Sequence, residues 1–183
     1  MTAVFDLDGT LIDTAPDLLD AINVVLATDG LEAVSRDDLQ KLVGHGGRVM
    51  IKSAYAQHGR TLDASDIDAR IPTFIEAYSK SMPGQSTPYP GVMKLIAAMK
   101  ADGWQVAICT NKMKQLADRL LASLEIDTVF HAVTGGDSFA FKKPDPRHIE
   151  ETVNAVAGDP HNAVMFGDSE NDIVAAQRAD IPV

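Results

Sequence analysis

The chain has a single cysteine, Cys109, which excludes both an internal disulfide framework and a thiolate metal site. Its five histidines, at 45, 58, 131, 148 and 161, are scattered without metal-ligand spacing. No run of basic residues occurs. Lys+Arg number 16 against Asp+Glu 26, a formal net charge of −10, so an electrostatic footprint for a nucleic-acid backbone is missing. No apolar run approaches the roughly 18 residues of a membrane span. The first residues form a strand pattern in place of a basic-then-apolar signal segment. Repeats and low-complexity tracts are absent too. These absences lead to the expectation of a cytoplasmic protein with neither membrane nor nucleic-acid partners. An acidic protein that handles an anionic ligand must build a local positive site, from a metal or a few placed cations.

What is present is globular. Hydrophobic residues make up 45% of 183 and charged residues 23%, enough apolar material for a core. The run "AVFDL" predicts a buried first strand over residues 3–7. From residue 14 to about 82 the pattern is helical only. Thr14 with Asp17 forms a capping-box signature before Leu18, Leu19, Ile22, Val25 and Leu26, and Gly30 is the stop. Ser35 and Asp38 repeat that signature before Leu39, Leu42 and Val43. Val49, Met50, Ile51 and Ala54 resume helical spacing after "VGHGG". Ile67, Ile71, Phe74, Ile75 and Tyr78 predict a further helix that Pro72 starts or kinks. After "MPGQSTPYPG" strands and helices alternate: a helix ending near Gly103, "WQVAICT", a helix over 113–124, "VFHAVTG", a helix near 146–157, "NAVMFGD", a helix over 170–179, and "IPV". This alternation predicts an α/β fold, a Rossmann-like, doubly wound parallel sheet formed by residues 1–13 and 83–183. Residues 14–82 are then an all-helical insertion after the first strand, too long for a loop and read as a cap or lid.

Ligands of open parallel sheets sit outside the carboxyl ends of the strands. The residues there are Asp6 and Asp8, Thr110 and Asn111, and Asp168 with Asp172, while Lys143 stands in the loop "FKKPDP". Four gathered carboxylates call for a hard cation with oxygen ligands, such as Mg²⁺. A lysine beside that metal makes a pocket for a phosphoryl group, whose charge must be neutralised during transfer. With the repulsion between Asp6 and Asp8 relieved, one carboxylate is free to attack phosphorus, so an aspartyl-phosphate intermediate is the chemistry that fits. Taken alone, "DLDGT" reads equally as a turn whose acids cap the next helix.

The ordered set "DLDGT", "CTN", "KKPDP" and "GDSENDI" resembles the four signatures of the haloacid dehalogenase-like phosphohydrolase superfamily, and the helical insertion resembles its helical-cap subclass. The resemblance implies that Asp6 is the nucleophile and Asp8 the general acid/base. It implies Mg²⁺ ligation by the carboxylates of Asp6 and Asp168, by the backbone carbonyl of Asp8, and by Asp172 through a bound water unless Asp172 orients Lys143 instead. Thr110 and Asn111 resemble the phosphoryl-binding pair, and Lys143 the residue that offsets nucleophile and phosphate charge. Asp8 argues against the carbon–halogen branch, which lacks an acid two residues after the nucleophile.

Within the subclass, "GTLIDTAPDL", "LVGHGGRVMI", "TNKM" and "GDSENDIVAAQRA" resemble the phosphatases that convert 2-phosphoglycolate to glycolate and phosphate. That likeness implies a small phosphorylated metabolite as partner and makes "GHGGR" a substrate-facing cap loop. In that loop Gly46 would offer backbone N–H groups and Arg48 would pair with a carboxylate. The alternative for the loop is a plain helix-breaking linker. A sugar-phosphate mutase would share all four signatures, and a non-catalytic phosphate-binding protein would need neither Asp6 nor Asp8. Related chains usually continue past "ADIPV" with further strand and tail residues, so the chain is expected to be either shortened or a fragment at this sheet edge. Cys109, inside an apolar strand, is read as core.

Overall fold

The computed structural model describes residues 1–35 and 45–183, so the capping and helical positions Asp38, Leu39, Leu42 and Val43 lie outside the described residues. The chain enters with β1 (Thr2–Phe5), buried along its whole length. A two-residue strand β2 (Ile12–Asp13) pairs antiparallel with β3 (Thr87–Pro88), a small ribbon that the sequence pattern did not announce. The strands β4 (Gln105–Cys109), β5 (Ala132–Thr134) and β6 (Ala163–Phe166) complete a four-stranded sheet of order β5-β4-β1-β6. Every pair in that sheet is parallel. The expected Rossmann-like α/β core is thus present. The terminal "IPV" forms no strand, although Met165 N–H donates to the Pro182 carbonyl at 2.8 Å.

The described chain divides into two compact units, Met1–Asp13 with Thr87–Val183, and Thr14–Ser86. In the first, helices α4 (Val92–Ala101), α5 (Lys114–Ser123), α6 (Arg147–Asn154) and α7 (Glu170–Arg178) flank the sheet. Val4, Cys109, Ala163 and Met165 present one sheet face to Ile149 and Val153 of α6 and to Ala175 and Ala176 of α7. Burying such side chains contributes about 1.5–3 kcal/mol each for the larger ones.

The second unit holds α1 (Ala15–Thr28), α2 (Gly47–Gln57) and α3 (Ala64–Ser81). Leu18, Ile22, Val25 and Leu26 of α1, Met50, Ile51 and Ala54 of α2, and Ile67, Phe74 and Tyr78 of α3 are buried at the predicted spacing. Two local expectations differ. Thr14 makes no side-chain cap bond to α1. The Asp17 carboxylate, which a capping box would turn back on the cap residue, instead accepts from Gln85 N–H at 2.9 Å, Ser86 N–H at 2.7 Å and the Ser86 hydroxyl. Of the two readings of Pro72, as the start of a helix or as a kink, the first does not hold, because Pro72 lies inside α3. The start is set by Asp63, whose carboxylate accepts from Asp66 N–H in a reciprocal capping box. Among the described residues no helix is long and apolar enough to cross a membrane.

Candidate active site

Strand register explains why distant motifs meet. Phe5 is level with Ile108 of β4 and Phe166 of β6, so the residues that follow emerge at one end of the sheet. Asp6 continues the ladder by donating its N–H to the Phe166 carbonyl at 2.8 Å, and Thr110 N–H donates to Thr134 at 3.0 Å. Two glycines allow the close approach. A Cβ on Gly9, whose φ is +88°, would stand 2.6 Å from Asp168 Oδ2, and one on Gly167 would stand 2.4 Å from the Asp172 Cβ.

Lys143 is the hub. Its side chain is 1% exposed, with Nζ 2.9 Å from Asp6 Oδ1 and 2.5 Å from Asp172 Oδ1. Burial by itself would lower the lysine's pKa, but Asp6, the Cys109 thiol group and Asp172 raise it, and the ammonium stays charged. Both Lys143 backbone polar groups are also held: its N–H donates to His148 Nδ1 at 3.3 Å, and its carbonyl accepts from Asn111 Nδ2 at 2.9 Å. Asp172 has both oxygens committed, Oδ2 accepting from Ser169 N–H at 3.0 Å and from its hydroxyl at 2.6 Å.

Asp6 is buried, and burial pushes its pKa up to about 7, with Asp172 and Asp8 adding to the rise and Lys143 opposing it. Neither of its oxygens has a hydrogen-bond partner, and Oδ1 alone has the Lys143 ammonium group beside it. A buried carboxylate oxygen left without a donor is costly unless something positive faces it. Asp6, Asp168 and Asp172 each offer a carboxylate oxygen, all within 4.8 Å of one another, a donor set that suits a hard divalent cation.

The structure brings Asp6, Asp8, Thr110, Asn111, Lys143, Asp168 and Asp172 into the same unit. Gly46 and Arg48 belong to the helical unit. Gly46, with φ +89°, is the N-cap of α2, and Gly47 is filled by the Phe74 ring, since a Cβ there would lie 2.6 Å from Phe74 Cε1. Arg48 is paired with Asp68 of α3. Two site neighbours escaped the sequence reading. Lys112 places Nζ 2.8 Å from Asp8 Oδ1, and the Thr10 hydroxyl donates to Asp168 Oδ1 at 2.7 Å. Both lie inside motifs quoted above, Thr10 in "DLDGT" and Lys112 in "TNKM", and that placement was the only available signal for a role at the site.

A parallel sheet carries an acid-rich, lysine-centred site at its carboxyl end, and residues 3–183 match the model of the haloacid dehalogenase-like hydrolase family. The chain belongs to that family. It is 49% identical over 180 residues to a phosphoglycolate phosphatase of Mesorhizobium japonicum, covering 98% of this chain and 79% of the relative. A phosphoglycolate phosphatase of Agrobacterium fabrum is 48% identical, with 98% and 77% covered. Among solved structures, a protein from Haemophilus somnus described as a predicted phosphoglycolate phosphatase superposes with a TM-score of 0.88 at 29% identity, covering 98% of this chain and 82% of that one. Phosphatases of this family are generally metal-dependent, and the acidic cluster is consistent with that requirement.

Proposed function

We propose that this chain is a Mg²⁺-dependent phosphatase that hydrolyses 2-phosphoglycolate to glycolate and phosphate through an aspartyl-phosphate intermediate. The observation that carries the reading is Asp6: a buried carboxylate with neither oxygen hydrogen-bonded and only Oδ1 beside the Lys143 ammonium group. Asp6 attacks phosphorus, the bond to the ester oxygen breaks, and Asp8 gives that oxygen a proton. Asp8, now a carboxylate, takes a proton from the water that attacks the aspartyl phosphate, and Asp6 is regenerated. Thr110 and Asn111 bind phosphoryl oxygens, and Lys143 offsets their charge while Asp172 fixes its direction. The carboxylates of Asp6 and Asp168 and the Asp8 carbonyl would hold Mg²⁺, with Asp172 behind them. The ion supplies charge neutralisation for the transferring group. Residues 14–82, which lie within the compact unit Thr14–Ser86, are read as the cap insertion of the family.

The test is phosphate release from a panel of small phosphomonoesters, with Mg²⁺ and with a chelator. Metal-dependent turnover with 2-phosphoglycolate preferred is the expected result, and D6N, folded by circular dichroism, should turn over none of the panel. Normal turnover by D6N would show that the nucleophile is another residue.

A further inference from the structure

Among the described residues Lys112 and Lys143 are the only buried lysines, and the chemistry above uses Lys143 alone. The Lys112 and Asp8 side chains are 5% and 7% exposed and stand 2.8 Å apart at their charged ends. The Lys112 backbone is fixed on both sides: its N–H donates to Thr110 Oγ1 at 3.1 Å, and its carbonyl accepts from Gly136 N–H at 2.8 Å. The glycine pair makes this clamp possible. A Cβ on Gly135 would stand 2.3 Å from Lys114 N, and one on Gly136 2.5 Å from the Asn111 carbonyl oxygen. The core unit by itself therefore places this ammonium group at Asp8.

We infer that Lys112 recognises the carboxylate of the substrate and is a determinant of specificity, an inference that rests on the phosphoglycolate reading above. In 2-phosphoglycolate the carboxylate is carried by the same carbon as the ester oxygen. The acid that protonates that oxygen and the cation that binds the carboxylate must then be neighbours, and Lys112 is bonded to that acid. An ammonium group can hold Asp8 and donate to a substrate carboxylate at the same time. Burial strengthens such a charge-assisted bond. Arg48, the cation that the sequence resemblance assigns to this role, is engaged by Asp68 in a pair whose side chains are 48% and 62% exposed.

The test compares 2-phosphoglycolate with ethyl phosphate, which keeps the ester carbon and lacks the carboxylate, across wild type, K112M, K112Q, K112R and R48A. Loss of a bond to a charged group predicts that K112M raises KM for 2-phosphoglycolate about 10- to 100-fold beyond its effect on ethyl phosphate. K112R should recover most of that difference. K112Q is the second uncharged variant should methionine beside Asp8 prevent folding. Equal losses on the two esters, as from a lysine that only positions Asp8, would overturn the inference, as would a carboxylate-selective loss in R48A with none in K112M. Wild type that hydrolyses ethyl phosphate as readily as 2-phosphoglycolate overturns it too. Wild type that hydrolyses neither removes the functional reading itself, a separate outcome.

Discussion

Lys143 is buried and charged because Asp6 and Asp172 face it, and each of the three depends on the others. Removing one member leaves uncompensated buried charge, so D172N should lower activity and cost stability, by about 3–5 kcal/mol for a broken buried pair. Urea unfolding beside kinetics measures both. His148 supports the same lysine from behind. Burial first, then Lys143, lowers its pKa to about 4, while Asp145 nearby opposes the shift. The folded state therefore keeps His148 neutral over a range in which the unfolded chain, with an ordinary histidine pKa of about 6.5, takes up a proton. Stability should fall as pH drops from about 6.5 towards about 4, with a slope of up to about 1.4 kcal/mol per pH unit from this residue. H148Q should flatten that part of the profile, and an unchanged slope would reject the assignment. Cys109 is fully buried, and burial pushes its thiol up to about 11. It should resist a thiol reagent at neutral pH until the protein is denatured.

At the scale of elements, the site depends on how β4 and β5 release the segments that follow them. Residues 110–114 are bound to 134–137 by Thr110 N–H to Thr134, Gly136 N–H to Lys112 and Lys114 N–H to Asp137 Oδ1 at 2.7 Å. G136A forces a methyl group against the Asn111 carbonyl, and overpacking of this kind costs about 1–3 kcal/mol. We expect a lowered Tm together with reduced kcat/KM, because Asn111 and Lys112 would move together. Wild-type kinetics and stability in G136A would mean that the clamp is loose. These elements were partly legible. Apolar runs ending in Asp6, Thr110 and Asp168 marked the strands and the end at which a ligand binds, whereas the ribbon β2–β3 is too short for a periodic signal. In α3 the helix start is signalled by the pair Asp63 and Asp66, upstream of Pro72, which lies within the helix.

For the whole molecule, net charge sets the problem that the site solves. A chain of net charge −10 gathers the carboxyl groups of Asp6, Asp8, Asp168 and Asp172 in one unit with two ammonium groups, an excess of acids that a divalent cation offsets. Binding to the folded state alone is a stabilising linkage, about 2.7 kcal/mol at a hundredfold excess over Kd. Mg²⁺ should therefore raise Tm with concentration, a chelator should reverse the gain, and D168N should blunt it. A D168N protein with the full wild-type shift would place the ion elsewhere.

The sequence by itself determined the order of the four sheet strands and the helices that alternate with them, the helical insertion and the four motifs, because backbone periodicity and strand-end chemistry are local properties. Tertiary structure alone decided which charges pair. That Lys143 faces Asp6 and Asp172, that Lys112 faces Asp8, and that Asp17 holds Gln85 and Ser86 instead of capping α1 all depend on residues far apart in the chain meeting at close range. Such pairings follow from sheet register and from glycines that admit a neighbour, as at Gly9, Gly136 and Gly167, and no periodic pattern in a single segment encodes them.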